Sequence, residues 1–249
     1  LASELLGVSD DQTQNPRMPD GSKFADTILK RFLIGCVARV INPGCRHDWM
    51  PVLVGDQNCG KSTFFQYLTP PSLSDPGIYS WVTTMQMSIE YLKDKPHALH
   101  SGWIVVMDEF ERYTKRKYSE ELKNLVSVGV DRSARKYENE RSYKRAFVLA
   151  GATNSADFLC DPTGNRRFMP ILVEGKVTSP QNPKIKIIDL DRLKQDRGRI
   201  WSAAYKAFQS GESNVLTSHE LSYINEYADS FTRDNSMEAT LDEKLTVNT

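Results

Sequence analysis

The run Gly55-Asp56-Gln57-Asn58-Cys59-Gly60-Lys61-Ser62, continuing into Thr63, has residue types suited to holding a polyphosphate. Glycines at its two ends let backbone N–H groups turn inward, where a Cβ would collide with phosphate oxygens. Lys61 is long enough to reach the β and γ phosphates, and the Ser62 hydroxyl can ligate Mg²⁺. An apolar strand from Pro51 to Val54 is expected before the loop and a helix from Lys61 to about Leu68 after it. The loop would then open a helix, whose first N–H groups and dipole favour an anion. Types, spacing and flanks together predict a P-loop for ATP, with residues 55–63 as the cradle and Mg²⁺ beside Ser62.

Chemistry is also encoded downstream. Asp108-Glu109 ends the apolar run Trp103 to Met107. A carboxylate at Asp108 can hold magnesium opposite the loop, and Glu109 is placed to polarise an attacking water. Acidic residues also follow strands simply because strands end at the surface, and it is the upstream P-loop that favours hydrolysis here. Thr153-Asn154 ends another apolar run, Ala146 to Ala152. Asn154 can orient the water or read the γ phosphate, the alternative being a turn-forming asparagine. Next, Asp161-Pro162-Thr163-Gly164-Asn165 forms a tight turn that presents Arg166 and Arg167 just before Phe168. A planar, permanently charged guanidinium suits stabilisation of a γ phosphate in trans, and the competing reading is a surface pair or structural salt bridge. His97 and His100, beside Pro96, have no cysteine or further histidine near them and read as surface residues rather than metal ligands.

These groups need strands that bring their ends together. After Asn42-Pro43-Gly44 strands and helices alternate, which predicts a parallel sheet with covering helices. Phe24 to Ile41 reads as one amphipathic helix, with Phe24, Ile28, Phe32, Cys36 and Val40 recurring every fourth residue until Asn42-Pro43-Gly44. A second strand is expected at Ile78 to Val82, a helical stretch at Ile89 to Lys93, and a helix capped by Ser119 running to about Val128. Phe168 to Val173 is a further buried strand. After Pro183 the chain turns helical: an apolar face runs from Leu190 to Phe208, and Thr217 with Glu220 forms a capping-box pattern before Leu221, Ile224, Tyr227 and Phe231. The organisation expected is a linker or loosely packed arm (1–22), an ATPase core (23–180), a C-terminal helical lobe (181–232) and a polar tail (233–249).

The 249 residues are 39% hydrophobic and 26% charged, a soluble composition with room for a core. No apolar run is long enough to cross a bilayer and no signal-peptide pattern opens the chain, so no membrane partner is expected. Leu1 rather than methionine comes first, and the chain is read as a piece of a longer protein. Cys36, Cys45, Cys59 and Cys160 form no CxxC pair and are expected as free thiols in a reducing cytosol. Formal net charge is +0, so any nucleic-acid contact must come from a local patch.

In order, the pieces resemble the virulence-associated protein E family, P-loop ATPases of phages and mobile elements related to superfamily 3 helicases and primase-helicases. The resemblance is carried by Val37-Ala38-Arg39-Val40 leading into Pro43-Gly44-Cys45 and the P-loop, by Gly102-Trp103-Ile104-Val105, and by Arg199-Ile200-Trp201 through Gly211-Glu212. Its most specific part runs from Gly151-Ala152-Thr153-Asn154 through Phe158-Leu159 to Asp161 and on to Phe168. It implies an α/β P-loop NTPase of the AAA+ and superfamily 3 type, with a central parallel sheet, an N-terminal helix and a C-terminal helical lobe. It further implies a ring, usually hexameric, with ATP between subunits, Asn154 as sensor, and Arg166 or Arg167 acting on a neighbour's nucleotide. A bacterial cytoplasm and an attached or separate primase domain follow from the same source. One departure is Asn58, where the family often has glycine.

Superfamily 3 relatives push nucleic acid with a basic hairpin between the acidic and sensor strands. Here that interval holds Arg132, Arg135, Lys136, Tyr137, Arg141, Lys144 and Arg145, with Asp131, Glu138 and Glu140 interleaved. Arg135, Lys136 and Tyr137 are the expected tip, gripping single-stranded or forked DNA by phosphate contact and stacking. A solvated charged loop is the competing reading. Arg112, Lys115, Arg116 and Lys117 read as a solvated helix entry. Two rivals to a helicase stay open: a packaging or remodelling ATPase that does not unwind, and a replication-initiation module merely locked by nucleotide.

Overall fold

The computed structural model describes residues 1–71, 81–85, 88–133, 141–159 and 165–232. The expected DNA-contacting tip (Arg135, Lys136, Tyr137), residues 78–80 of the expected second strand, Cys160, the turn 161–164 and the tail 233–249 lie outside them.

Within these residues the chain runs α1 (Phe24–Ile41), β1 (Met50–Gly55), α2 (Lys61–Leu68), β2 (Val82–Met85), α3 (Ile89–Asp94), β3 (Ile104–Met107) and α4 (Ser119–Ser127). It continues through β4 (Val130–Ser133), β5 (Arg141–Lys144), β6 (Val148–Thr153), β7 (Phe168–Val173), β8 (Val177–Thr178), β9 (Lys186–Ile187), α5 (Leu190–Gln209) and α6 (Ser218–Asp229). Five strands form one sheet in the order β2-β3-β6-β1-β7, and every pairing in it is parallel. A parallel sheet covered on both faces needs strands apolar throughout; β3 and β6 are buried at every position. Alternate residues serve opposite faces. Leu53, Ile104, Val106 and Ala150 pack with α1, α2 and α5, while Val52, Val54, Val105 and Met107 pack with α3 and α4.

The chain leaves β1 for the β2 edge, walks back through β3 and β6, and then passes over β1 to β7. The strand order therefore reverses around β1, and the carboxyl end of a strand at such a reversal is where open α/β sheets hold ligands.

Several expectations are modified. Residues 2–8 are not loosely packed: Ala2, Leu5 and Leu6 are at most 2% exposed. Gly175 N donates to Leu6 O at 3.0 Å and Asp189 N to Leu5 O at 2.9 Å, which sews the arm to the β8–β9 region. The row of α1 positions stays buried as far as Cys36, but Val40 is 53% exposed. Ser119 is the first helical residue of α4 rather than its cap, because a 3₁₀ turn at Arg116–Tyr118 leads directly into the helix. The stretch after Pro183 first pairs β9 with β8 before α5 begins. The capping box of α6 is present, and Arg31 of α1 donates to its Glu220 at 2.6 Å.

Candidate active site

The loop after β1 is shaped by close approach. A Cβ on Gly55 would lie 2.4 Å from the Val173 carbonyl oxygen of β7, so only glycine fits where the strand ends. Gly60, at φ 94, is the N-cap of α2 and has no side chain to cap the first-turn N–H groups. Those groups have no intrahelical partner and point out of the helix start. Asn58 sits at φ 64, a left-handed conformation that asparagine tolerates better than most side chains. Asparagine at this position is therefore compatible with the turn. Cys59 is buried, which pushes its thiol pKa up, and its carbonyl accepts from Ile188 N at 2.9 Å, so the β9–α5 junction braces the loop from behind.

Lys61 is 7% exposed. Its Nζ donates to Gly55 O at 2.9 Å, Asp56 O at 2.7 Å and Asn154 Oδ1 at 2.8 Å. The ammonium thus bends back over its own loop and joins it to the end of β6. Ser62 and Thr63 follow half-buried in the first turn of α2.

Val54 pairs with Thr153, and Met107 pairs with Gly151, so Gly55, Asp108 and Asn154 leave the sheet on one edge. Asp108 is half-buried and one oxygen accepts from the Glu109 N–H at 3.1 Å. Glu109 has φ 48, a strained position for a non-glycine residue. Its carboxylate accepts from Arg112 Nη1 at 2.9 Å, with the side chains 60% and 70% exposed. Arg112 is thus solvated, as expected, and also paired with Glu109. Sequence reading stopped at Asp108-Glu109 and missed Glu111. Thr153 Oγ1 donates to Glu111 and accepts from Ser155 N, which clamps the end of β6 beside Asn154. The hydroxyl of Ser62 and the carboxylate of Asp108 are hard oxygen donors of the kind Mg²⁺ takes. The uncapped helix start and the buried ammonium suit the phosphates.

Arg166 and Arg167 lie at the other edge. Met50 pairs with Phe168 and Gly55 with Val173, so the strand length separates them from the loop of their own chain. Five steps of strand make that about 17 Å. Arg167 Nε donates to Ser127 Oγ at 2.7 Å. Arg166 is exposed, and among the described residues it has no hydrogen bond or ion pair. Both line a cavity of about 80 Å³ with Arg46, Asp48, Trp49, Leu216 and Leu221. Arg46, paired with Asp48 at 3.0 Å, was not singled out from the sequence, since nothing local distinguishes it.

β4 and β5 form an antiparallel hairpin between the acidic strand and β6, with Val130 opposite Lys144. Arg132, Arg141 and Lys144 are exposed on it. Arg145 and Asp131, read from the sequence as part of the basic interval, are 4% and 5% exposed and bonded to each other at 2.6 and 2.8 Å, so neither is open to DNA or to solvent. Burial pushes the Asp131 carboxyl up, but hydrogen bonds from His100 and Arg145 outweigh it and hold its pKa below the usual value. His100, expected at the surface, reaches Asp131 at 2.9 Å and packs edge-on against Phe147. Among the described residues no group of three or more His, Cys, Asp or Glu side chains could hold a metal ion, and no helix is long and apolar enough to cross a membrane.

The Virulence-associated protein E-like domain family matches residues 16–233. Among solved structures, the apo structure of the NrS-1 C-terminal region is similar at 15% identity and TM-score 0.46, over 84% of this chain and 50% of that one. The A form apo structure of the same region is similar at 15% identity and TM-score 0.44, over 87% of this chain and 50% of that one. The chain thus spans half the length of those solved chains. No curated protein matches it.

Proposed function

Because the chain belongs to the Virulence-associated protein E-like domain family, we propose that it is a P-loop NTPase domain of the AAA+ and superfamily 3 type that hydrolyses ATP to move DNA during replication of a phage or mobile element. The observation that carries this reading is the bridge from Lys61 to the loop carbonyls and Asn154 on the sheet edge from which Asp108 also emerges. A lysine whose donors are held by two carbonyls and an amide can exchange those acceptors for phosphate oxygens. Doing so frees the Asn154 amide to orient water. Residues 55–63 hold the phosphates, and Ser62 and Asp108 would hold Mg²⁺, which neutralises charge developing on the phosphate oxygens. Glu109 accepts the proton of the attacking water as the γ phosphoryl leaves ADP.

The separation of about 17 Å along β7 argues that Arg166 and its neighbours serve another subunit's nucleotide, as a ring with ATP between subunits requires. Exposed cations of the β4–β5 hairpin face the DNA backbone in this reading. The Arg112–Glu109 ion pair favours a second reading, a replication-initiation module locked by nucleotide, because it occupies the carboxylate that hydrolysis needs.

The test is ATP turnover of wild type, Lys61→Ala and Glu109→Gln with and without single-stranded DNA. The motor reading expects turnover that rises with DNA and is lost in both variants. Turnover without any DNA response leaves a hydrolase that is not a DNA motor. ATP binding and assembly with negligible turnover, unchanged by Glu109→Gln, would establish the locked module instead.

A further inference from the structure

α4 ends at Ser127; Val128 N still donates to the Asn124 carbonyl at 3.1 Å, and the carbonyls after it lie beyond the reach of the helix's own N–H groups. Two arginines from different parts of the chain take hold of this turn. Arg145 Nη1 donates to the Leu125 carbonyl, while the rest of the same guanidinium grips Asp131 of the hairpin strand β4 at 2.6 and 2.8 Å. Arg167 Nε donates to Ser127 Oγ at 2.7 Å from the turn that carries Arg166. The Ser127 hydroxyl spends its own proton on the Lys123 carbonyl at 2.8 Å, which leaves a lone pair aimed at Arg167. A continuous hydrogen-bonded path therefore runs from β4 through Asp131, Arg145 and the end of α4 to Arg167. Arg145 is 4% exposed at its side chain, so its part of this path is shielded from water.

We propose that Ser127 is a positioning residue that couples the β4–β5 hairpin to the trans-acting Arg166, with Arg167 as the linker rather than the finger. The proposal rests on the DNA-motor reading and deepens it. Coupling between distant sites is carried by packed, hydrogen-bonded elements that move together, and charge-assisted bonds are the strong links in such a chain. When DNA displaces the hairpin, the pull on Asp131 and Arg145 reaches the last turn of α4, and Ser127 passes it to the Arg166 turn. In this reading Ser127 contacts Arg167 and the Lys123 carbonyl rather than nucleotide or DNA, so its loss should spare both binding events.

The experiment measures steady-state ATP turnover against single-stranded DNA concentration for wild type, Ser127→Ala and Ser127→Thr. Ser127→Ala is expected to keep basal turnover, KM for ATP and DNA affinity within about twofold, and to lose DNA stimulation by roughly tenfold or more, the worth of a bond to a charged donor. Ser127→Thr keeps the hydroxyl and should restore stimulation, an outcome that a merely structural cost would not produce. Wild-type stimulation in Ser127→Ala overturns the coupling while leaving the motor reading intact. Stimulation lost equally in both variants also overturns it, since the hydroxyl would then not be what matters. If wild type itself shows no stimulation, the motor reading falls and takes this inference with it.

Discussion

Arg166 offers the sharpest test of a site shared between subunits. Each β1–β7 pair is in register from Met50–Phe168 to Gly55–Val173, which puts the strand length, about 17 Å, between Arg166 and the loop of its own chain. An extended arginine side chain does not bridge that, so any effect on hydrolysis must reach a neighbour. A trans-acting arginine contributes about 10³- to 10⁵-fold to turnover, or about 4 to 7 kcal/mol of barrier. Arg166→Ala should therefore reduce kcat by at least about 10³-fold while ATP binding stays near wild type. Lys61→Ala should be inactive for a different reason, having lost its own cradle. Mixing the two inactive proteins as dissociated subunits and letting them reassemble should restore turnover. An interface works only when an Arg166→Ala subunit supplies the P-loop and a Lys61→Ala subunit supplies the arginine. Random equimolar assembly makes that roughly a quarter of interfaces, so turnover should return to roughly a quarter of wild type if sites act independently. The assay is phosphate release from the reassembled mixture, with unmixed variants alongside. Undiminished turnover in Arg166→Ala, or no recovery on mixing when size measurements show mixed oligomers, would refute the reasoning.

Asp131→Ala leaves the buried Arg145 guanidinium without its carboxylate and should cost about 3 to 5 kcal/mol of stability by urea unfolding. A wild-type midpoint would show that the pair is solvated. Gly7→Ala places a Cβ 2.0 Å from the Gly175 carbonyl oxygen at φ 67, and should destabilise by more than about 2 kcal/mol. Gly21→Ala, at φ 80 with nothing within 4 Å, should cost only about 1 kcal/mol, and urea unfolding of the two variants side by side checks the difference. Burial, aided by the Arg39 charge, lowers the His47 pKa to about 3. The unfolded chain takes up that proton below about pH 6.5, its ordinary value, while the folded chain does not until about pH 3. The stabilising contribution is therefore complete above pH 6.5 and declines as pH falls toward 3, by about 2 kcal/mol between pH 7 and 5. Urea unfolding at both values should show this slope in wild type and its loss in His47→Gln, and equal slopes would contradict a buried neutral imidazole.

What the sequence by itself determined is local. The four-residue recurrence in α1, the apolar runs of β1, β3, β6 and β7, and the Thr217–Glu220 cap of α6 each act over a few residues, and all appear in the fold. Alternating strands and helices also implied the parallel sheet that is found. The glycine spacing around residues 55–60 was legible for the same reason, since φ preference and close backbone approach belong to single residues. The tertiary structure decided what meets what. Lys61 and Asn154 are 93 residues apart and become partners only because β6 lies beside β1. Arg46 joins Arg166 and Arg167 because the amino ends of β1 and β7 are neighbours. His100 looked like a surface group, and Asp131 and Arg145 like members of an open basic interval, since a charge pattern does not reveal that three such side chains will pair with one another. The polar look of residues 1–22 likewise hid Leu5 and Leu6, which the β8–β9 region draws into the core. Turn chemistry and periodicity are written within a few residues, whereas strand order depends on burial and pairing across the whole chain, and it is strand order that assembled the candidate site.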